Sequence, residues 1–169
     1  MKEQIPPLLR PDFVTPVSLK DFAAHFGLDA PAQDAVLTGI SMNTNDLRPG
    51  DLFVAMPGKK THGAEFIQKA LELGATAVAT DTAGLAHTKS ISVPVVRIEN
   101  PREHLGNLAA YVYGNLPGNM PLLFGTTGTN GKTSTTYLLE AILRQLGQVT
   151  GLTSTAERHI AGETIVSRL

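Results

Sequence analysis

The chain has 169 residues, of which 42% are hydrophobic and 17% charged, so it can form a packed core and is not a disordered chain. Its 14 basic and 15 acidic residues give a formal net charge of -1, and no overall field attracts nucleic acid or an anionic membrane. The absence of cysteine excludes disulfides, thiolate zinc sites and a cysteine nucleophile. The sequence shows neither a signal peptide nor an apolar run near the ~20 residues of a membrane span. We therefore expect a soluble cytoplasmic protein.

The first part of the chain predicts strands that alternate with helices, after a proline-rich arm at residues 1–17. Ser18 has the side chain of a helix N-cap, and Gly27 is placed to end the helix that follows. Further along, short apolar runs typical of buried strands alternate with apolar side chains at helical spacing. The predicted strands are 51–56, 75–80 and 93–98, and the predicted helices are 64–73 and 101–113. This alternation predicts an α/β architecture.

A turn-rich stretch without periodicity at residues 113–119 marks the predicted domain boundary. We place a small N-terminal α/β domain at residues 1–117 and a second domain at residues 118–169. The second domain is well short of the usual domain size. We therefore expect the chain to be a fragment that contains only the beginning of this domain.

The second domain is predicted to begin with a strand, a glycine-rich loop and a helix. The predicted strand is 121–124, the helix runs from Lys132 to Leu146, and a further strand follows at 148–152. Glu140 and Arg144 lie one turn apart on this helix, so we expect them to pair in solvent.

The glycine-rich loop has the features of a phosphate loop. Its glycines allow a tight turn in which successive N–H groups face one anion, and the helix that it opens adds a positive dipole end. Lys132 offers a mobile charge for the β and γ phosphates, and the hydroxyl of Thr133 is placed to bind Mg²⁺. The residues assigned to ATP are Gly128, Thr129, Asn130, Gly131, Lys132, Thr133 and Ser134.

The loop departs from the general phosphate-loop pattern at one position, where Thr126 stands in place of glycine. The alternative interpretation is a glycine turn between a strand and a helix, followed by a solvated lysine. The demanding geometry of Gly131-Lys132-Thr133 at such a junction favours phosphate binding.

The run from Thr127 to Thr133 resembles the ATP-binding motif of the Mur ligases. That resemblance implies ATP and Mg²⁺ as cofactors and Lys132 as a catalytic residue. It also implies a ligase reaction in which a carboxylate attacks the γ-phosphate to give an acyl phosphate, and an amine then displaces phosphate.

The preceding segment resembles the UDP-binding domain of the Mur ligases that add the third residue of the peptidoglycan stem peptide. The resemblance rests on the order of the motifs at 39–45, 48–55 and 57–63 and extends over residues 36–169. It implies three small-molecule substrates, namely UDP-N-acetylmuramoyl-dipeptide, ATP and an amino acid, and a monomer without nucleic-acid or membrane partners. The contacts that it implies for the UDP-sugar are Thr44, Asn45, Lys59, Lys60 and Thr61.

One motif departs from that family. Where the family usually has Asp-Ser-Arg, this chain has Asn43-Thr44-Asn45, which keeps a hydroxyl and loses both charges. The details of UDP binding therefore stay open, with Arg48 as a candidate compensating cation.

Other functions stay open from the sequence. One is the Mur ligase that adds D-Ala-D-Ala, and others are a non-catalytic nucleotide-binding module and a generic phosphate-loop NTPase. Since the family's carbamylated lysine and third domain would lie beyond Leu169, we expect the fragment alone to be inactive. The sequence does not choose between diaminopimelate and L-lysine as the added residue.

Three titratable residues receive conservative interpretations. His62 is interpreted as a turn residue, His159 has no partner at ligand spacing, and Glu157 is interpreted as a solvated loop acid.

Overall fold

A computed structural model of the chain describes residues 10, 11 and 13–166, so most of the predicted arm lies outside the described residues. The chain forms two compact units, one spanning Arg10–Met120 and the other containing the residues from Pro121 onward. The exact domain limits at 117 and 118 remain a prediction. Within the described residues, no helix is long and apolar enough to cross a membrane.

The first unit begins with two short strands around a helix. Strands β1 (Val17–Ser18) and β2 (Val36–Leu37) pair antiparallel, and helix α1 (Leu19–His25) lies between them in the chain. The Ser18 hydroxyl accepts hydrogen bonds from the amides of Lys20 and Asp21, which confirms the predicted N-cap.

The core of this unit is a parallel four-stranded sheet, as predicted for an α/β protein. Its strands, in spatial order, are β3 (Gly39–Ser41), β4 (Asp51–Ala55), β5 (Ala77–Thr80) and β6 (Val95–Arg97). Helices α2 (Ile67–Glu72) and α3 (Pro101–Val112) connect or follow these strands, with shorter 3₁₀ helices at Gly63–Phe66 and Gly84–His87. The predicted helix at 64–73 therefore begins as a 3₁₀ turn.

Strand β4 explains why this region appears as a continuous apolar run in the sequence. All five of its residues are buried, because both faces of the sheet are covered. Leu52 and Val54 pack into the core cluster that contains α1 and α3, whereas Phe53 and Ala55 pack into the cluster that contains α2. Successive side chains of a strand point to opposite faces, so one strand joins both cores.

Parallel pairing brings two loops to the same edge of the sheet. Strands β3 and β4 run in the same direction, with Ser41 paired with Phe53 near their carboxyl ends. The segments that follow, at 42–46 and 56–62, therefore leave from neighbouring positions. Ligands of open parallel sheets bind at this edge.

The second unit contains helix α4 and an antiparallel sheet. Helix α4 is Lys132–Gln145, close to its predicted range. Strands β7 (Gly151–Thr153), β8 (Glu157–Ile160) and β9 (Glu163–Val166) pair in sequence order. The strand predicted at 148–152 begins later, because the Gln148 amide still bonds to the Leu143 carbonyl at the end of the helix.

The strand predicted at 121–124 is wrong. No strand pairs with this segment among the described residues, and the side chains of Leu122 and Leu123 are 80% and 71% exposed. An apolar run becomes a strand only when another backbone satisfies its N–H and C=O groups.

The predicted surface pair of Glu140 with Arg144 is also wrong. Glu140 is buried, with 7% of its surface exposed. Its carboxylate contacts His159 Nδ1 at 2.5 Å and accepts from the Thr150 hydroxyl at 3.4 Å. Glu140 therefore faces the hairpin and not the solvent.

Candidate functional site

A cleft of about 620 Å³ opens at the carboxyl edge of the parallel sheet. All the residues predicted to contact the UDP-sugar line it, namely Thr44, Asn45, Lys59, Lys60 and Thr61. The structure thus brings together two segments that are separated by a strand and a turn in the sequence.

The segment after β3 forms a tight turn. The replacement of the family's Asp-Ser-Arg by Asn43-Thr44-Asn45 leaves this turn intact. The Asn43 side-chain oxygen accepts a hydrogen bond from the Asn45 amide at 3.0 Å. The Ser41 hydroxyl donates to the Asn43 carbonyl at 2.9 Å and accepts from the Asn43 amide at 3.2 Å. Because an asparagine oxygen closes such a turn as an aspartate oxygen does, the turn does not require a charge at position 43.

The segment after β4 forms a closed loop that presents the two lysines. Pro57 and His62 form an isolated antiparallel bridge, and the Gly58 amide donates to the Thr61 carbonyl at 3.0 Å. Lys59 and Lys60 lie at the tip, exposed, and neither has a hydrogen-bond or ion-pair partner among the described residues. Two uncompensated ammonium groups therefore border the cleft.

The sequence analysis did not predict two further basic residues of the cleft. Lys69 from α2 and Arg102 from α3 also line it, and Arg102 donates to the Pro57 carbonyl at 2.9 Å. Together with Lys59 and Lys60 they make four basic side chains, and no acidic residue is among the described residues that line the cleft. Lys69 and Arg102 reach the cleft because of the way α2 and α3 pack on the sheet. In the sequence, their place at the cleft is indicated only by their position in helices that follow the strands.

The cleft also has an apolar part. Met42 and Phe66 line it with 55% and 44% of their surfaces exposed. Half-exposed apolar side chains beside a basic surface suit a ligand that has both a flat ring and negative charge.

The predicted phosphate loop has the backbone that the motif requires. Gly128 and Gly131 take positive φ angles of 145° and 76°, and Gly131 is the residue before the first turn of α4. The Gly131 conformation is left-handed, which favours glycine over residues with a Cβ atom.

The predicted ATP-binding groups of the loop are exposed to solvent. Lys132 Nζ donates to the Gly128 carbonyl at 2.6 Å, so the ammonium group folds back over the loop. The remaining predicted ATP contacts are exposed around the start of α4, namely Thr129, Asn130, Thr133 and Ser134. The structure therefore places the predicted ATP residues at a single helix N-terminus.

A hydrogen-bonded cluster ties β8 to α4. His159 lies between Glu140, which contacts Nδ1, and Glu157, whose carboxylate is 3.2 Å from Nε2. The Tyr137 hydroxyl donates to Glu157 at 2.5 Å. Glu157 is therefore a bonded residue of a strand and not the solvated loop acid that we expected.

The cluster shifts the titration of its members. The hydrogen bond to Glu140, reinforced by Glu157, raises the pKa of His159 above its ordinary value. The hydrogen bonds from Tyr137 and His159 lower the pKa of Glu157. Among the described residues, no group of three or more acidic, histidine or cysteine side chains is arranged to hold a metal ion.

A parallel α/β sheet with a basic cleft, followed by a glycine-rich loop that opens a helix, defines the class of α/β proteins with a phosphate loop. Two family models match the chain. The model of the Mur ligase family, catalytic domain, matches residues 36–113, and that of the Mur ligase middle domain matches residues 126–167. The chain belongs to the Mur ligase family.

Curated relatives agree with this assignment. The chain is 43% identical over 158 residues to the UDP-N-acetylmuramoyl-L-alanyl-D-glutamate--2,6-diaminopimelate ligase of Streptomyces avermitilis, covering 94% of this chain and 31% of the relative. It is 45% identical over 166 residues to the UDP-N-acetylmuramyl-tripeptide synthetase of Leifsonia xyli subsp. xyli, covering 97% and 32%. The chain thus spans about a third of the length of these relatives.

Solved structures show the same fold. The UDP-N-acetylmuramoylalanyl-D-glutamyl-2,6-diaminopimelate--D-alanyl-D-alanyl ligase of Acinetobacter baumannii matches with a TM-score of 0.61 at 17% identity, over 85% of this chain and 32% of that structure. A UDP-N-acetylmuramoyl-L-alanyl-D-glutamate--2,6-diaminopimelate ligase matches with a TM-score of 0.63 at 22% identity, over 86% and 29%. At these identities the likeness concerns the fold.

Proposed function

We propose that this chain supplies the nucleotide-sugar site and the phosphate loop of an ATP-dependent ligase of peptidoglycan precursor synthesis. The ligase adds the third amino acid, diaminopimelate or L-lysine, to UDP-N-acetylmuramoyl-L-alanyl-D-glutamate through an acyl phosphate. It works in the cytoplasm as a monomer, with residues 1–117 binding the UDP-sugar and residues 118–169 beginning the ATP-binding domain.

The charge of the cleft is the observation that carries this proposal. Four basic side chains and, among the described residues, no acidic one line it, in a chain whose formal net charge is only -1. A diphosphate matches that local charge, since lysine and arginine bind phosphate oxygens with charge-assisted hydrogen bonds. Met42 and Phe66 offer the apolar surface on which a uracil ring can lie.

Thr44, Asn45 and Thr61 complete this site as polar contacts for the ribose and the sugar. They line the cleft beside the lysines, and each carries a hydroxyl or an amide that can donate or accept a hydrogen bond.

The phosphate loop supplies the second half of the proposal. Lys132 leaves the Gly128 carbonyl and binds the β and γ phosphates, while the amides between Gly128 and Ser134 surround them. The attacking carboxylate and the γ-phosphate are both anionic, so neutralising their charge is the main catalytic task. Mg²⁺, when bound with ATP, would be held by the Thr133 hydroxyl and phosphate oxygens, which suits a hard cation.

Sequence similarity favours the third-residue ligase over the D-Ala-D-Ala-adding ligase. The relatives that are 43% and 45% identical carry the names of diaminopimelate-adding and tripeptide-forming enzymes. The D-Ala-D-Ala-adding ligase is similar at 17% identity, which supports the fold alone.

The test is phosphate release by the full-length gene product with ATP, Mg²⁺ and UDP-N-acetylmuramoyl-L-alanyl-D-glutamate. Diaminopimelate and L-lysine are added in turn. We expect release that requires the UDP substrate and one of the two amino acids. Release that is indifferent to both would show a generic ATPase, and ATP binding without any release would point to the D-Ala-D-Ala-adding ligase or to a non-catalytic binding module.

A further inference from the structure

The loop that carries Lys59 and Lys60 is closed at its base by backbone contacts and by the side chain of His62. His62 closes the loop, and the Gly63 amide donates to the Met56 carbonyl at 2.8 Å. His62 is not among the described residues that line the cleft, although Thr61 and Gly63 on either side are. Its side chain instead points to the end of β5.

The hydrogen bonds of His62 define its tautomer. The Ala64 amide donates to Nδ1 at 3.0 Å, so this nitrogen carries a lone pair. The ring proton therefore lies on Nε2, which donates to Asp81 Oδ1 at 3.1 Å. Both side chains are largely buried, with 19% and 13% exposed, so water competes little for the contact.

Asp81 is itself held in place. Its Oδ1 also accepts from the Gly84 amide at 2.8 Å. A Cβ atom at Gly84 would lie 2.9 Å from His62 Cε1 and 1.9 Å from Thr80 Oγ1, so the ring packs where only glycine leaves space. The imidazole therefore has a fixed partner and a fixed position.

We propose that His62 is a positioning residue for nucleotide binding: through Asp81 it fixes the loop that holds Lys59 and Lys60 at the cleft. This inference rests on the proposed function, because it assumes that the cleft binds the UDP moiety. A loop ordered before binding loses less conformational entropy on binding, so cutting the anchor weakens affinity although both lysines remain.

Two substitutions test the two hydrogen bonds of His62 one at a time. Asparagine places an oxygen near the position of Nδ1, so His62→Asn keeps the cap on Ala64 and loses Asp81. Glutamine places an N–H near the position of Nε2, so His62→Gln keeps the Asp81 contact. His87→Asn, at an exposed histidine of the same unit, is the matched control.

The measurement is calorimetric titration of the 169-residue chain with UDP. We expect His62→Asn to weaken UDP binding about tenfold, Asp81→Ala, which also frees the Gly84 amide, to weaken it at least as much, and their combination to weaken it no further than Asp81→Ala alone, because both remove the contact between His62 and Asp81. His62→Gln and His87→Asn should stay within about twofold of the wild type. In the full-length enzyme, His62→Asn should raise the KM for the UDP substrate and leave kcat and the KM for ATP unchanged.

The outcomes separate this inference from the function on which it rests. A wild-type chain that binds no UDP overturns the proposed function. A wild type that binds UDP together with a His62→Asn variant of equal affinity overturns only the positioning role. Equal losses in His62→Asn and His62→Gln also overturn it, since the Asp81 contact would then not be the cause. If His62→Asn does not fold, Asp81→Ala reports on the same contact.

Discussion

Lys132 is hydrogen-bonded to the same loop that is proposed to bind the phosphates of ATP. Its ammonium group donates to the Gly128 carbonyl, in a loop that is otherwise exposed. The contact keeps the Lys132 side chain folded over the loop.

Replacing Lys132 by methionine should strongly slow catalysis without disturbing the first unit. We expect the full-length enzyme with Lys132→Met to lose ~10²–10³-fold in kcat, because one charge that stabilises the transferring phosphoryl group is missing. UDP affinity should not change. Phosphate release and UDP titration measure the two effects, with Lys89→Met at an exposed lysine as the control. An equal loss in both variants would contradict the role of Lys132.

His159 should make the junction of β8 with α4 depend on pH. Its pKa is raised in the folded chain, so its contribution to stability is complete below the ordinary histidine value of about 6.5 and is lost as the pH rises through the raised pKa. The pKa of Glu157 is lowered, so its contribution exists above about 4.3 and is lost as the pH falls. The cluster should therefore be most stable between these two values.

NMR titration of the His159 ring and hydrogen exchange of the β8 amides test this directly. We expect a ring midpoint above about 6.5 and, after correction for the base-catalysed intrinsic rate, lower protection factors of the β8 amides at high pH. His159→Gln should remove this fall of the protection factors at high pH. A midpoint at the ordinary value would contradict the network.

At this scale, the sequence predicts residues that belong to local motifs and misses those that tertiary packing brings together. The Gly-Lys-Thr run lies at the start of α4, so Lys132 could be proposed as an ATP contact from the sequence alone. Lys69 and Arg102 come from helices that meet only in the folded unit. Glu140 was paired with its helix neighbour Arg144, whereas the hairpin of His159 provides a stronger partner.

Helix α1 shows how an element boundary follows from one side chain. Ser18 caps two amides and also donates to the Asp34 carboxylate at 2.9 Å, which links the start of the helix to the turn before β2. The hydrogen bond from the Lys20 amide, together with that from Ser18, lowers the pKa of Asp34.

Removing this cap should destabilise the first unit. We expect Ser18→Ala to lower the free energy of unfolding by ~1 kcal/mol, since the Asp21 amide loses its acceptor and the Lys20 amide keeps only Asp34. Urea unfolding followed by circular dichroism measures the change, with Ser90→Ala at an exposed turn as the control. A loss below a few tenths of a kcal/mol would show that Asp34 alone is a sufficient cap.

The ion pair between Arg10 and Asp51 joins the arm to the start of β4. Arg10 Nη1 lies 2.6 Å from Asp51 Oδ1, and the two side chains are 6% and 1% exposed. Arg10→Ala would leave a buried carboxylate without its cation and should cost about 3 kcal/mol.

The exposed pair of Arg97 with Asp29 is the matched control for this prediction. Its atoms are 3.2 Å apart, and the side chains are 51% and 80% exposed, so Arg97→Ala should cost less than about 1 kcal/mol. Equal losses in urea unfolding would contradict the importance of burial.

Most elements of the first unit were predictable because their sequences carry local signals. Strand β4 is a buried apolar run bounded by turns, and α3 begins with Pro101 at its first turn. The very short strands β1 and β2 were not predicted, because only their mutual pairing defines them. The run at 121–124 was predicted wrongly because its sequence does not indicate whether a second backbone lies beside it.

For the molecule as a whole, charge is distributed unevenly. The chain is nearly neutral, yet the cleft gathers four basic side chains. Binding there should therefore depend on salt, because ions screen charges at exposed sites over a Debye length of ~10 Å at 0.1 M.

Neutralising the loop lysines should weaken the binding of UDP and flatten its salt dependence. We expect Lys59→Met combined with Lys60→Met to reduce UDP affinity at least tenfold at low salt, roughly 1.4 kcal/mol. Uridine without phosphates should bind the wild type and the variant alike. Calorimetric titration between 0.05 and about 0.5 M salt measures both ligands. Unchanged UDP affinity would contradict the assignment of the lysines.

Helix α4 exposes an apolar stripe, formed by Leu138, Ile142 and Leu146, which are 66%, 55% and 68% exposed. Contiguous apolar surface of this kind marks a place where other groups pack. The first unit keeps its large apolar side chains mainly inside its two core clusters.

The order of strands in the parallel sheet has a consequence for synthesis on the ribosome. Each strand from β4 to β6 pairs with the strand that precedes it in the chain, so every new strand finds its template already made. The crossover connections between these strands are moderate in length, and the entropy cost of closing a loop grows only slowly with its length. The sheet that carries the basic cleft can thus assemble strand by strand during synthesis, before the second unit is complete.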